Sequence, residues 1–129
     1  MDAVIAGNGG CGICTPKETG SCIVAEKLGI PSVIVTAPGF DKEARYTAQN
    51  NGVPVLRAAV YPGAFSSQTK EQLIRNTREV TWPQIIEALT SPIRQEEYSF
   101  SSSTKGIADD VLSGTLEQVY DYFADRSEE

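Results

Sequence analysis

Dense apolar runs alternate with polar stretches that glycine and proline interrupt, and this rhythm predicts an α/β chain. Val4 and Ile5 open it with the β-branched residues of a buried parallel strand, which Gly7, Gly9, Gly10 and Gly12 break into a tight turn. A helix is expected from about Thr15-Pro16, with Thr15 as its cap, Pro16 in its first turn and Glu18 near the positive end of its dipole. Thr19, Cys22, Ile23 and Glu26 space out over its turns, and Gly29 ends it. Ile30-Pro31 leads into Ser32 to Thr36, whose Val33, Ile34 and Val35 form the continuous apolar run of a strand covered on both faces. Ala37-Pro38-Gly39 closes that strand. A second helix, Asp41 to Asn50, stops at Asn50-Asn51-Gly52, and a third strand follows from Pro54 through Val60. Two βα repeats feeding a third strand predict a short parallel sheet with right-handed crossovers, in a small three-layer sandwich of Rossmann-like or flavodoxin-like kind.

Tyr61-Pro62-Gly63-Ala64-Phe65 follows the third strand directly and belongs to the same carboxyl edge as the first turn and Ala37-Pro38-Gly39. Ser66 and Ser67 introduce a helical stretch from Gln68 to Val80. Trp82-Pro83 opens another, Gln84 to Leu89, with Ile85, Ile86 and Leu89 as an apolar stripe to cover the sheet. At Ser91-Pro92 the pattern changes. Gln95-Glu96-Glu97 is polar, Ser99 to Thr104 is serine-rich, and Tyr98 and Phe100 alternate with serines as a short edge strand would. Val111, Leu112, Leu116, Val119, Tyr120 and Phe123 mark an amphipathic C-terminal helix. The chain thus divides into an α/β domain, 1–92, and a serine-rich linker with an acidic helical extension, 93–129. Three parallel strands leave edges and faces to protect, so a homo-oligomer or a partner subunit is expected, with the helix at 111–123 reaching a neighbour.

A length of 129 residues and a hydrophobic content of 40% fit one soluble domain with one core. Eight acidic and eight basic residues balance through position 93, whereas positions 94–129 hold nine acidic and three basic, so the whole net charge of −6 lies in the extension. An acidic tail without a basic aromatic stripe argues against nucleic acid and anionic lipid as partners. No apolar run approaches the roughly 18 residues of a spanning helix, and the first strand begins so early that no signal or transit segment is expected. Three cysteines without an even framework suit a reducing cytoplasm.

Two of those cysteines, Cys11 and Cys14, fall where the glycine turn enters a helix, beside unpaired backbone N–H groups at the positive end of the dipole. A thiol there is readily lowered in pKa toward the thiolate. A CxxC pair also serves as half of a zinc site, but the chain has no histidine and only one further cysteine, so no metal and no cofactor is expected. Cys22 lies about two turns further along the helix, as a buried residue of its apolar face. Ligands of open α/β sheets bind at the carboxyl edge. The candidate substrate contacts are therefore Asn8, Gly9, Gly10, Gly12 and Thr15 around the cysteine turn, and Tyr61, Pro62 and Gly63 across from it.

Strand, glycine-rich turn, CxxC, helix and the strand ending GIPSVIVT together resemble the UGSC family, and more remotely the selenoprotein B component of the glycine, sarcosine and betaine reductases. Cys11-Gly12-Ile13-Cys14 stands where the UGSC pattern has selenocysteine or cysteine, then glycine, serine and cysteine. Ile13 departs from the serine, and Lys17 stands where the reductase components carry a further cysteine. The turn at Tyr61-Pro62-Gly63 and the run from Trp82 to Thr90 also resemble the pattern, so the likeness covers about residues 2–92. It implies thiol chemistry on a small molecule, of reductase or lyase type at an activated carbon or heteroatom. Cys11 would be the nucleophile and Cys14 the resolving or supporting thiol. The alternatives are a general disulfide oxidoreductase, an accessory subunit with structural cysteines and, third, a racemase or lyase that shuttles a proton through the thiol.

Overall fold

The computed structural model describes residues 1–98, which form a parallel three-stranded sheet with helices on both faces. β1 (Val4–Gly9), α1 (Cys14–Lys27), β2 (Ser32–Thr36), α2 (Phe40–Asn50) and β3 (Arg57–Val60) follow one another, and the strands lie side by side in chain order. Sequential order with right-handed crossovers places α1 and α2 on one face. There Ala6, Ile34 and Ala58 of the three strands meet Cys22, Ile23, Ala44 and Ala48 of the helices, with Val53 and Leu56. On the other face Val33 and Ala59 pack on Ile85 of α4 (Trp82–Thr90). β2 is therefore covered twice, which is why its side chains read as an unbroken apolar run.

Several boundaries differ from the expectation, each for a local reason. α1 begins at Cys14, and Thr15 does not cap it: its hydroxyl donates to the Cys11 carbonyl at 2.8 Å, and Ile13 occupies the N-cap position without a side-chain hydrogen bond. α2 starts at Phe40, after Gly39 at φ 92°, a left-handed conformation that favours glycine. β3 starts at Arg57, not Pro54; Val55 and Leu56 are buried but lie outside the ladder. The helical stretch after β3 begins at Lys70, not Gln68: Phe65–Ser67 is a 3₁₀ turn, and α3 (Lys70–Asn76) is capped by Thr69, which exchanges hydrogen bonds with Gln72 as a capping box. No break separates it from the next helix. A π turn, Thr77–Thr81, carries the chain into α4, where Pro83 has no N–H to offer and its ring would crowd the carbonyl four residues back.

The segment after α4 is tied down as far as Tyr98. Arg57 donates to the carbonyls of Ala88, Ser91 and Pro92, and its guanidinium pairs with Glu97 at 3.1 Å in a 3₁₀ turn, Gln95–Tyr98. Tyr98 thus belongs to a turn, not to an edge strand. The Arg57 hydrogen bond holds the Glu97 carboxyl below its ordinary range. On the outer edge of β3 the Gln84 side chain accepts from the Val60 N–H and donates to the Val60 carbonyl, both at 3.0 Å, pairing the last residue of that strand as a neighbouring strand would. The expected helix at 111–123 and the serine run lie outside the described residues. No described helix is long and apolar enough to cross a membrane.

Candidate active site

The carboxyl ends of the three strands deliver their loops to one place. At the end of β1 the register slips: Gly7 pairs with Val35 and Gly9 with Thr36, which leaves Asn8 as an unpaired bulge beside the cysteine turn. Gly9 is buried, and a Cβ there would come within 3.1 Å of the Thr15 hydroxyl and 3.2 Å of a Thr36 methyl. A Cβ on Gly10 would meet the Phe65 ring at 3.1 Å. The lack of side-chain bulk in this turn is thus what lets α1 and the loop after β3 close on the cysteines.

Cys11 and Cys14 are joined as a disulfide, their Cα atoms 5.2 Å apart. The Cys14 N–H donates to the Cys11 sulfur at 2.9 Å, and the Thr15 N–H donates to the Cys11 carbonyl at 3.1 Å. The next residue of α1 is Pro16, which has no N–H. Cys11 therefore takes up two of the amides that a helix N-terminus ordinarily leaves open. Thr15 is fully buried and supports the turn from beneath, its carbonyl accepting from the Thr19 hydroxyl at 2.7 Å. Cys11 is half-buried and Cys14 exposed.

Both sulfur-bearing residues line a cavity of about 510 Å³. β1 and its turn contribute Asn8 and Gly10, the loop after β2 contributes Ala37, Pro38 and Phe40, and the loop after β3 contributes Gly63, Ala64, Phe65 and Ser66. Of the expected contacts, Asn8, Gly10 and Gly63 are in the wall. Gly9, Gly12, Thr15, Tyr61 and Pro62 are not. Gly9 and Thr15 are sealed under the turn, and Gly12 and Pro62 are exposed outside the wall. Tyr61 is only 2% exposed. Its ring packs on Phe65 with centroids 4.9 Å apart, and its hydroxyl donates to Gln68, whose carbonyl oxygen also accepts from Asn76 at 3.0 Å. Tyr61 thus acts on the site through Phe65. Phe40 was the residue without a signal, because nothing in the pattern told a first-turn helix residue over the sheet edge from one over the core.

Cys22 sits on the buried face of α1 among Ala6, Ile23 and Ile34, fully enclosed, and burial pushes its thiol pKa up. It stays protonated and away from the cavity. Among the described residues no cluster of three histidine, cysteine, aspartate or glutamate side chains could hold a metal ion.

The UGSC family model matches residues 1–91. The chain belongs to the UGSC family. The match spans every described strand, α1 to α4 and all the described residues of the cavity wall. Neither curated proteins nor solved structures match the chain. In this UGSC chain Ile13, at the serine position of the pattern, is 84% exposed at the head of α1, so the departure falls on a helix cap and not on the cavity wall.

Proposed function

We propose that this UGSC-family chain is a thiol-dependent enzyme that exchanges electrons with a small molecule, with Cys11 as nucleophile and Cys14 as resolving thiol. The observation that carries the reading is the cysteine pair itself, bonded together at the head of α1 and opening onto a cavity at the carboxyl edge of a parallel sheet. In the reduced protein the Cys14 N–H and the positive end of the α1 dipole both favour the thiolate of Cys11 over its thiol. That thiolate attacks one sulfur of a substrate disulfide and expels the other as a thiolate. Cys14, losing its proton to solvent, then attacks the Cys11 sulfur and releases the second substrate thiolate. Two electrons pass from the protein dithiol to the substrate, each released thiolate takes a proton, and a second thiol reductant restores the pair by the same exchange run backward.

The test is a redox titration of the full-length protein in glutathione buffers of graded ratio, with acid quench, alkylation and peptide mapping. Cys11 and Cys14 should interconvert reversibly between dithiol and disulfide while far-UV circular dichroism stays constant, and Cys22 should remain unlabelled until denaturant is added. A pair that changes state only on unfolding would be a structural staple, as in an accessory subunit, and would overturn the reading.

A further inference from the structure

The wall around the cysteines carries no charged side chain among the described residues. Asn8 and Ser66 are its polar side chains besides the cysteines, and Pro38, Phe40, Ala64 and Phe65 give it an apolar body. The head of a helix usually compensates for such a wall by offering bare N–H groups to a carboxylate or phosphate. Here it does not. Of its first amides, the Cys14 N–H is taken by the Cys11 sulfur and the Thr15 N–H by the Cys11 carbonyl, Pro16 has none, and Ile13, at the N-cap, lies outside the wall. A charged group entering the cavity would give up hydration and meet no countercharge, only the Asn8 and Ser66 side chains, which is costly, whereas an uncharged apolar group would lose little. The charged cavity elsewhere offers no rival site: the about 340 Å³ space at the opposite edge of the sheet has Arg45, Arg57 and Arg94 in its lining, and these pair with Asp41, Glu97 and Glu87.

Resting on the thiol-exchange reading above, we infer that the partner of Cys11 and Cys14 is an uncharged, mostly apolar small disulfide, and that the site discriminates against anionic ones. About 510 Å³ is room for a molecule of one or two rings, flanked by Phe40 and Phe65. The exchange is balanced by the partner alone: protein dithiol and substrate disulfide become protein disulfide and two substrate thiols.

Two chromogenic aromatic disulfides test this, neutral 4,4′-dithiodipyridine and dianionic 5,5′-dithiobis(2-nitrobenzoate). Each rate with the reduced full-length protein is divided by the rate of 2-mercaptoethanol with the same probe, in high salt to screen the net charge of the protein. The normalised ratio should favour the neutral probe by about tenfold or more. Ser66→Lys, which puts a cation into the wall, should reverse much of that preference, and Asn50→Lys, on the opposite side of the molecule, should leave it intact. Equal normalised rates, or an equal response to the two lysine variants, would overturn the substrate class while leaving thiol exchange standing. Failure of both probes to oxidise Cys11 and Cys14 would remove both readings together.

Discussion

Cys11 and Cys14 are neighbours with opposite advantages. Cys14 is the more exposed, but Cys11 is the sulfur that accepts a backbone N–H. In the proposed exchange it is ionisation that favours Cys11 near neutral pH. A thiol with the ordinary pKa of about 8.5 is only a few per cent thiolate, and lowering that value toward 7 raises the thiolate fraction about tenfold, a gain that weaker intrinsic nucleophilicity offsets only in part. Tyr61 illustrates a residue near the chemistry whose hydroxyl is spent on the scaffold. Tyr61→Phe removes a donor from the buried set with Gln68 and Asn76. It should cost about 1–2 kcal/mol in chemical denaturation and leave the rate of Cys11 with a small disulfide within about twofold. A large rate change at unchanged stability would return Tyr61 to the cavity wall.

At the scale of elements, α1 is capped from an unusual direction. The serine of the UGSC pattern would stand at the N-cap, where a hydroxyl ordinarily contributes about 1 kcal/mol by accepting from the second or third helical N–H. In this chain the second is already bonded to the Cys11 carbonyl and the third position is Pro16. Ile13→Ser should therefore stabilise the protein by less than about 0.5 kcal/mol in thermal or chemical unfolding, and a full capping gain would contradict the account.

The Arg57 clamp makes a second prediction at this scale. Because Arg57 depresses the Glu97 pKa below its ordinary value of 4.5, the pair stabilises the fold above that value, and the contribution is lost as pH falls through the depressed folded pKa. The destabilisation caused by Glu97→Gln should be present at about pH 7 and shrink toward zero at about pH 3. A difference independent of pH would show that the side chain acts by packing alone.

What the sequence made legible follows from these same residues. Val33-Ile34-Val35 reads as a doubly covered strand, and the glycines before Cys11 read as a tight turn, so the sheet and the cysteine edge were readable. Thr15 was not, because an inward bond to a carbonyl four residues back and an outward cap use the same hydroxyl, and only the fold chooses. The clamp at Glu97 was hidden for a different reason: its partner is 40 positions away.

Among the described residues of the molecule the two edges of the sheet are treated differently. Gln84 pairs the last residue on the β3 side, whereas β1 is an edge strand with Ile5 50% exposed on a face where the described residues leave a shallow space lined by Ala6, Gly7, Asn8 and Val35. An unguarded apolar edge favours association. Light scattering at micromolar concentration should therefore find the full-length protein as a dimer or larger. A chain ended after Tyr98, which keeps the Arg57–Glu97 pair, tells whether residues 99–129 are needed for it. A monomeric full-length protein would remove the expectation.

The order of the two sulfurs is the central claim, and single-turnover chemistry tests it most directly. Reduced full-length protein mixed with a small neutral disulfide should release two thiols per chain and end with Cys11 joined to Cys14. Cys14→Ser should release only one and stall as a mixed disulfide that peptide mapping places on Cys11, at a rate close to that of the first step in the unaltered protein. Cys11→Ser should react at least about tenfold more slowly, having lost the favoured thiolate. Fast adduct formation on Cys14 in Cys11→Ser, together with a sluggish Cys14→Ser, would reverse the roles and contradict the account.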